Sequence, residues 1–179
     1  MPPVATLNPP DLAAQTCATS YVWPDAETWP PDKPVWVLAA PFRAHVNNLI
    51  AGARVPWPVV AHQAGVPMAC LRTLLFGRGG RVRGKIAYDV ALALIEVRIE
   101  DLAWLRTAQV SAERTGGMIR LLRSHRVTWS AIADSLRLDL VTCQAMARGE
   151  RTSCSVMVEI LAQSLCAAVG LPSWEKGVR

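Results

Sequence analysis

The chain has 179 residues, a formal net charge of +5 and hydrophobic residues at 51% of its positions. That suffices for one ordinary domain or two small ones. No apolar run reaches the ~18 residues of a membrane span, and no basic-then-apolar leader opens the chain. Five cysteines, an odd number with no CxxC spacing, argue against a disulfide framework or a zinc site and for a reduced, cytoplasmic protein.

Charge is segregated along the chain. Residues 1–32 hold four acids and no Lys or Arg, whereas residues 33–88 hold eight Lys or Arg and no acid. Residues 89–114 set five acids against three Arg, and residues 115–157 six Arg against three acids. A merely solvated surface does not need acid excluded over 56 residues; contact with phosphate favours it.

Residues 1–40 read as an extended Pro-rich arm. Eight of the thirteen prolines lie there and no apolar period is present. Trp23, Trp29 and Trp36 keep the arm from being wholly inert, and docking on a neighbouring core is preferred to partner binding.

Residues 41–85 read as a first helix-turn-helix module. Pro41–Ala53 is a bracing helix with Val46, Leu49, Ile50 and Ala53 on one face. Pro58 lies in the first turn of the next helix, where a missing N–H is tolerated. Val60, Ala64, Leu71 and Leu74 pack the pair, Ala61 permits close approach, and Gly65 makes the turn. Met68, Ala69, Arg72, Thr73 and Phe76 then occupy the free side of the second helix, which fits a DNA major groove. Pro67 and Trp57 flank this face as candidate contacts, although a Trp at that register also suits packing on the bracing helix. The stretch GRGGRVRGK, Gly77–Lys85, has four Gly and four cations in nine residues. Arg78, Arg81, Arg83 and Lys85 are therefore expected on phosphate or in a minor groove. The same residues match GxxxxGK. However, Ile86 stands where a P-loop needs Ser or Thr, and a helix rather than a strand comes before.

Residues 86–114 read as a helical linker of one or two helices. Ile86, Val90, Leu94 and Val97 form a stripe that Ile99, Leu102, Leu105 and Val110 continue. As one helix, Ile86–Ser111 would reach about 39 Å, close to the ~34–36 Å of one DNA turn.

Residues 115–171 repeat the first module. A shift of 72 aligns Arg54, Val55 and Trp57 with Arg126, Val127 and Trp129, Ala61 with Ala133, Leu74 with Met146, and Gly77 with Gly149. Leu49 and Ile50 align with Leu121 and Leu122. Gly116 and Gly117 are expected to break the helical pattern before a bracing helix at Met118–His125. Thr128 is an N-cap and Asp139 a cap near the second reader. Arg137 replaces Gly65, so the second turn is expected to be shaped differently. The exposed reading face is Leu140, Val141, Gln144, Ala145 and Arg148, with Gln suited to adenine and Arg to guanine. Arg126, Ser130, Thr142, Arg151, Thr152 and Ser153 complete the candidate DNA contacts. Val156–Val169 closes the module, and residues 172–179 are a tail. His45, His62 and His125 are scattered, so no catalytic constellation, metal site or cofactor is expected.

The two-reader layout, the RVxWxxxA phrase at Arg54–Ala61 and Arg126–Ala133, and GVPxxxLRxLLxG at Gly65–Gly77 resemble the immunity repressors of temperate mycobacteriophages. The resemblance spans roughly Pro41–Leu171. It implies an N-terminal helix-turn-helix, a helical linker and a C-terminal DNA-binding domain. It also implies silencing of lytic promoters in the bacterial host cytoplasm, by a monomer on asymmetric sites.

The reading is thus an all-α protein of two helix-turn-helix modules joined by a helical linker, with an extended Pro-rich N-terminal arm. It is not an enzyme, and its partner is double-stranded DNA. A monomer is expected, with a dimer as the alternative. The rival functions are an activator or recombination accessory protein, a nucleotide-binding enzyme built on the GxxxxGK-like loop, and an interaction scaffold acting through the Trp-rich arm.

Overall fold

The computed structural model of the chain describes residues 35–79 and 81–171. The expectations for the Pro-rich arm up to Pro34, Trp23 and Trp29 among them, and for the tail after Leu171 lie outside the described residues. In chain order the elements are β1 (Trp36–Leu38), α1 (Ala39–Ala53), α2 (Trp57–Gln63), α3 (Met68–Phe76), β2 (Lys85–Ala87), α4 (Tyr88–Glu96) and α5 (Ile99–Thr107). They continue as β3 (Gln109–Ser111), α6 (Ala112–Ser124), α7 (Trp129–Leu136), α8 (Leu140–Arg148), β4 (Ser153–Ser155) and α9 (Val156–Ala168).

The fold is mainly helical, with two short antiparallel strand pairs that the all-α expectation lacked. β1 pairs β2 with Trp36 opposite Ala87, Val37 opposite Ile86 and Leu38 opposite Lys85. β3 pairs β4 with Gln109 opposite Ser155, Val110 opposite Cys154 and Ser111 opposite Ser153. Each strand runs straight into a helix, so a clasp of six residues ties the start of α1 to α4, and the start of α6 to α9. Matching bonds close both clasps: Ala39 N–H to Gly84 O at 2.9 Å and Ala112 N–H to Thr152 O at 3.0 Å. Tyr88 N–H to Val35 O at 2.9 Å has its counterpart in Val156 N–H to Ala108 O at 3.0 Å.

The internal repeat is therefore a strand, three helices, a strand and a helix, used twice. Its offset is not constant. It is 72 from Trp57 to Trp129, but 73 from Ala39 to Ala112 and 68 from Lys85 to Ser153. Burial corrects the expected alignment of the bracing helices. Val46 and Leu49 are buried on α1 as Ile119 and Leu122 are on α6, while Ile50 and Leu121 are only half-buried. Leu49 thus corresponds to Leu122, and one residue is lost near the end of α6.

Two further expectations change. Gly116 and Gly117 do not interrupt a helix; they lie within α6. Gly116 is there because α6 crosses against α8: a Cβ at Gly116 would collide with the carbonyl oxygen of Met146. The stretch 86–111, expected as one or two helices, is narrowed to two, α4 and α5. Val97 and Arg98 adopt extended backbone between α4 and α5, and the last three residues pair as β3.

The buried core is one cluster running through both copies of the repeat. Its largest fully enclosed side chains include Leu71, Leu74, Leu94, Leu102, Ile119, Leu122, Ile132 and Leu136. Each contributes about 1.5–3 kcal/mol through burial. α9 joins the two copies. It packs on α6 and α7 of its own copy and on α2 and α5 of the other. Ile160, Leu161, Ala162 and Cys166 are all buried on it, a stripe wide enough for two partners.

Candidate nucleic-acid interface

The two helix pairs, α2–α3 and α7–α8, turn in the same way. Val66 N–H reaches Ala61 O at 2.9 Å, and Leu138 N–H reaches Ala133 O at 3.0 Å. Gly65 N–H bonds His62 O at 3.0 Å, and Arg137 N–H bonds Asp134 O at 3.2 Å. This is the Schellman pattern, which needs one left-handed residue. Gly65 supplies it at φ 63°, and Arg137 at φ 56°. The expectation of a differently shaped second turn is overturned: Arg137 accepts the conformation that Gly65 takes without strain.

Behind each turn, the inner side of the second helix is buried by Leu71 and Leu74 on α3, and by Cys143, Met146 and Ala147 on α8. On α3 the outer side exposes Ala69, Arg72 and Phe76, with Met68 and Thr73 half-buried and Pro67 exposed just before. The Thr73 hydroxyl is engaged, donating to Ala69 O at 2.7 Å. On α8, Leu140 and Val141 are exposed, as is Arg148, while Thr142, Gln144 and Ala145 are half-buried. Asp139 caps α8, its carboxylate accepting from Thr142 N–H at 2.8 Å, and Thr128 caps α7, accepting from Ala131 N–H at 3.2 Å. Ser130 is exposed one turn below, with its hydroxyl 3.3 Å from that of Thr128. The Asp139 carboxyl is held below the usual range, first by the Thr142 N–H. Trp57 is half-buried and meets Phe76 edge-on at 6.1 Å, whereas Trp129 lies beneath the Arg123 guanidinium, 4.9 Å from its ring centre.

The loops after the two readers differ by four residues, which accounts for the fall in offset from 72 to 68. In the first copy, Arg78 and Arg81 exchange backbone hydrogen bonds at 3.0 and 3.2 Å, forming a small hairpin. Gly77 opens it at φ 74°, where a Cβ would collide with the Arg81 carbonyl. Arg78, Arg81, Arg83 and Lys85 are all exposed, and Lys85 is the first residue of β2. A helix precedes the GxxxxGK stretch and a strand follows it, the reverse of a P-loop.

Nothing in the residue pattern singles out Arg43, yet it positions this loop. From α1 its Nε donates to Leu74 O at 2.7 Å and its Nη2 to Arg83 O at 2.8 Å. In the second copy the position of Arg43 is taken by Gly116, pressed against the equivalent carbonyl, that of Met146. One copy staples a long basic hairpin to its reader, and the other brings two helices into close contact. The second loop is accordingly short. Arg151, Thr152 and Ser153 are exposed, and so is Arg126, but Arg148 is clamped by Glu150. Arg148 Nε and Nη2 each donate to a carboxylate oxygen, the latter at 2.9 Å. This pairing holds the Glu150 carboxyl below its usual range and raises the guanidinium further.

The free face of α3 forms one wall of an open cleft of about 1480 Å³. The other copy lines it too: the end of α7 at Asp134, Ser135 and Arg137, and α9 at Met157 and Leu161. No residue of α8 lines it. The outer faces of α3 and α8 therefore do not share this cleft.

Among the described residues, no group of three or more His, Cys, Asp and Glu is placed to hold a metal ion. Cys143, Cys154 and Cys166 are buried free thiols whose pKa values burial pushes up. His45 is used in packing, its Nε2 3.1 Å from Leu94 O. No described helix is long and apolar enough to cross a membrane. No protein-family model, no curated protein and no solved structure matches the chain.

Proposed function

We propose that the protein is a sequence-specific double-stranded DNA-binding repressor. In this reading α2–α3 and α7–α8 are its helix-turn-helix readers. The observation that carries the reading is the state of the acid-free stretch. Of its seven described cations, Arg54, Arg72, Arg78, Arg81, Arg83 and Lys85 are exposed, and Arg43 is half-buried. None of the six exposed cations is ion-paired among the described residues; the two ion pairs there are Arg114–Glu159 and Arg148–Glu150. Charge of one sign, on one helix face and its adjoining hairpin, favours a polyanion. A helix with Arg72, Ala69 and Phe76 outward has the width and chemistry for base edges. Repression rather than activation rests on the resemblance to phage immunity repressors.

The test is anisotropy titration of the full chain with genomic duplex fragments at several salt concentrations, followed by a promoter-reporter assay on the sequence selected. Tight, salt-dependent binding to a subset of fragments, with a silenced reporter, is the expected result. A reporter that is stimulated would give the activator reading. An affinity that does not depend on salt would remove DNA as the partner.

A further inference from the structure

Three described residues other than glycine have positive φ, and all three are arginines: Arg54 at 55°, Arg126 at 64° and Arg137 at 56°. Arginine has no intrinsic liking for that region, where Asn, Asp and His are the enriched side chains. The turn itself does not ask for Arg at 137, because Gly65 makes the same turn with the same hydrogen bonds in the other copy. A side chain kept where glycine would be less strained points to a use for the side chain.

The cleft shows that use for two of them. Arg54 enters it from the end of α1, beside Arg72 and Arg78 of the first copy. Arg137 lines it from the end of α7, in the second copy. All four are exposed, and one carboxylate, Asp134, shares the cleft with them. Exposed cations brought to one open cleft by both copies of the repeat suit a polyanion running through it. A small anion would instead need an enclosed pocket. Trp57 and Phe76, edge-on to one another, line the same space and give the sugars of the backbone an apolar surface.

We propose that Arg54 and Arg137, one from each copy of the repeat, clamp the sugar-phosphate backbone of the duplex that α3 reads in this cleft. The second copy of the repeat thereby contributes a phosphate contact to the first reader's site. The proposal rests on the reading of α3 as a duplex-binding helix.

Glycine is the informative replacement, because it keeps the left-handed turn and relieves it. The variants Arg54→Gly, Arg137→Gly and the double variant are compared with the wild-type full chain. The probes are a duplex of random sequence, inorganic pyrophosphate and poly-glutamate. Thermal midpoints should be unchanged or raised. Duplex affinity should fall, and the slope of log K against log salt should become shallower by ~0.9 per arginine, about 1.8 for the double variant. If wild-type protein binds duplex and the double variant keeps its slope, the clamp is wrong while the DNA reading stands. A lowered thermal midpoint would assign the arginines to folding and overturn the proposal. So would loss of poly-glutamate or pyrophosphate binding with duplex binding intact. Wild-type protein that binds no duplex at any salt would overturn the DNA reading and the clamp with it.

Discussion

Arg72 lies mid-way along α3, whereas Arg148 ends α8 at the position that Phe76 holds on α3, and their surroundings differ. Arg72 is exposed with no acidic partner among the described residues, whereas Arg148 is held by both carboxylate oxygens of Glu150. In the proposed function, Arg72→Ala should cost about 1–3 kcal/mol of affinity and relax preference at a limited set of base pairs. Binding measured on single-base variants of the selected site checks this, and equal weakening on every sequence would make Arg72 a phosphate anchor. Arg148 must leave Glu150 to reach a base. The pair is exposed, so little opposes its release, but the carboxylate left behind repels phosphate. Glu150→Gln should therefore tighten DNA binding, and that gain should shrink in an Arg148→Ala background. A double-mutant cycle measures it. The sign of any pH effect follows from the lowered Glu150 carboxyl. The pair is fully present through the neutral range and disappears only as pH falls through that depressed value, so substitution is the cleaner probe. At this scale the sequence showed which faces are outward, because helical spacing puts Leu71 and Leu74 opposite Arg72. It did not show partners that chain distance hides. Arg43 bonds carbonyls 31 and 40 residues away, and the left-handed backbone of Arg54 and Arg126 leaves no trace in residue type.

At the level of elements, the basic hairpin is an insertion into the repeat. Its four extra residues lengthen a connection that the second copy makes from Gly149 to Ser153. Neutralising Arg78, Arg81, Arg83 and Lys85 together should flatten the salt dependence of binding, by ~0.9 in log–log slope for each phosphate they neutralise. An unchanged slope would remove the hairpin from the interface. Arg43→Ala should loosen the hairpin without removing any of its charges. Its expected signature is faster hydrogen exchange at Arg78 and Arg81, whose amides now bond one another's carbonyls. The helices were legible from their apolar spacing and, in the second copy, from capping side chains such as Thr128 and Asp139. The strands were not: three residues such as Lys85–Ala87 are too few for a period of two to register. The break at Val97–Arg98 was hidden as well. Leu94, Leu102 and Leu105 keep a spacing that one continuous helix would also satisfy, and no Gly or Pro marks the interruption.

Across the whole molecule, the two copies are built alike but are not independent. Val59 on α2 and Leu102 on α5 are fully enclosed, and α9 packs against both helices. A fragment ending at Ser111 would lack α9 and expose the surfaces of α2 and α5 that pack on it. It should unfold at a markedly lower temperature than the full chain, if it folds at all, since each Leu-sized side chain returned to water forfeits about 1.5–3 kcal/mol. This bears on stoichiometry. A protein with one reader usually dimerises, and its operator mirrors the two-fold axis. In the proposed function two readers belong to one folded unit, and their faces differ: Ala69, Arg72 and Phe76 on α3 against Val141, Gln144 and Arg148 on α8. Unlike faces should recognise unlike half-sites. The cleft that α3 lines contains no α8 residue, so the face of α8 lies outside it. One chain should therefore occupy one site that is not a palindrome. Light scattering on the complex, combined with a footprint at base resolution, tests this. A 1:1 complex with an asymmetric footprint is expected. A 2:1 complex on an inverted repeat, or full specific affinity in the fragment ending at Ser111, would show that one copy of the repeat reads DNA and the other only supports it.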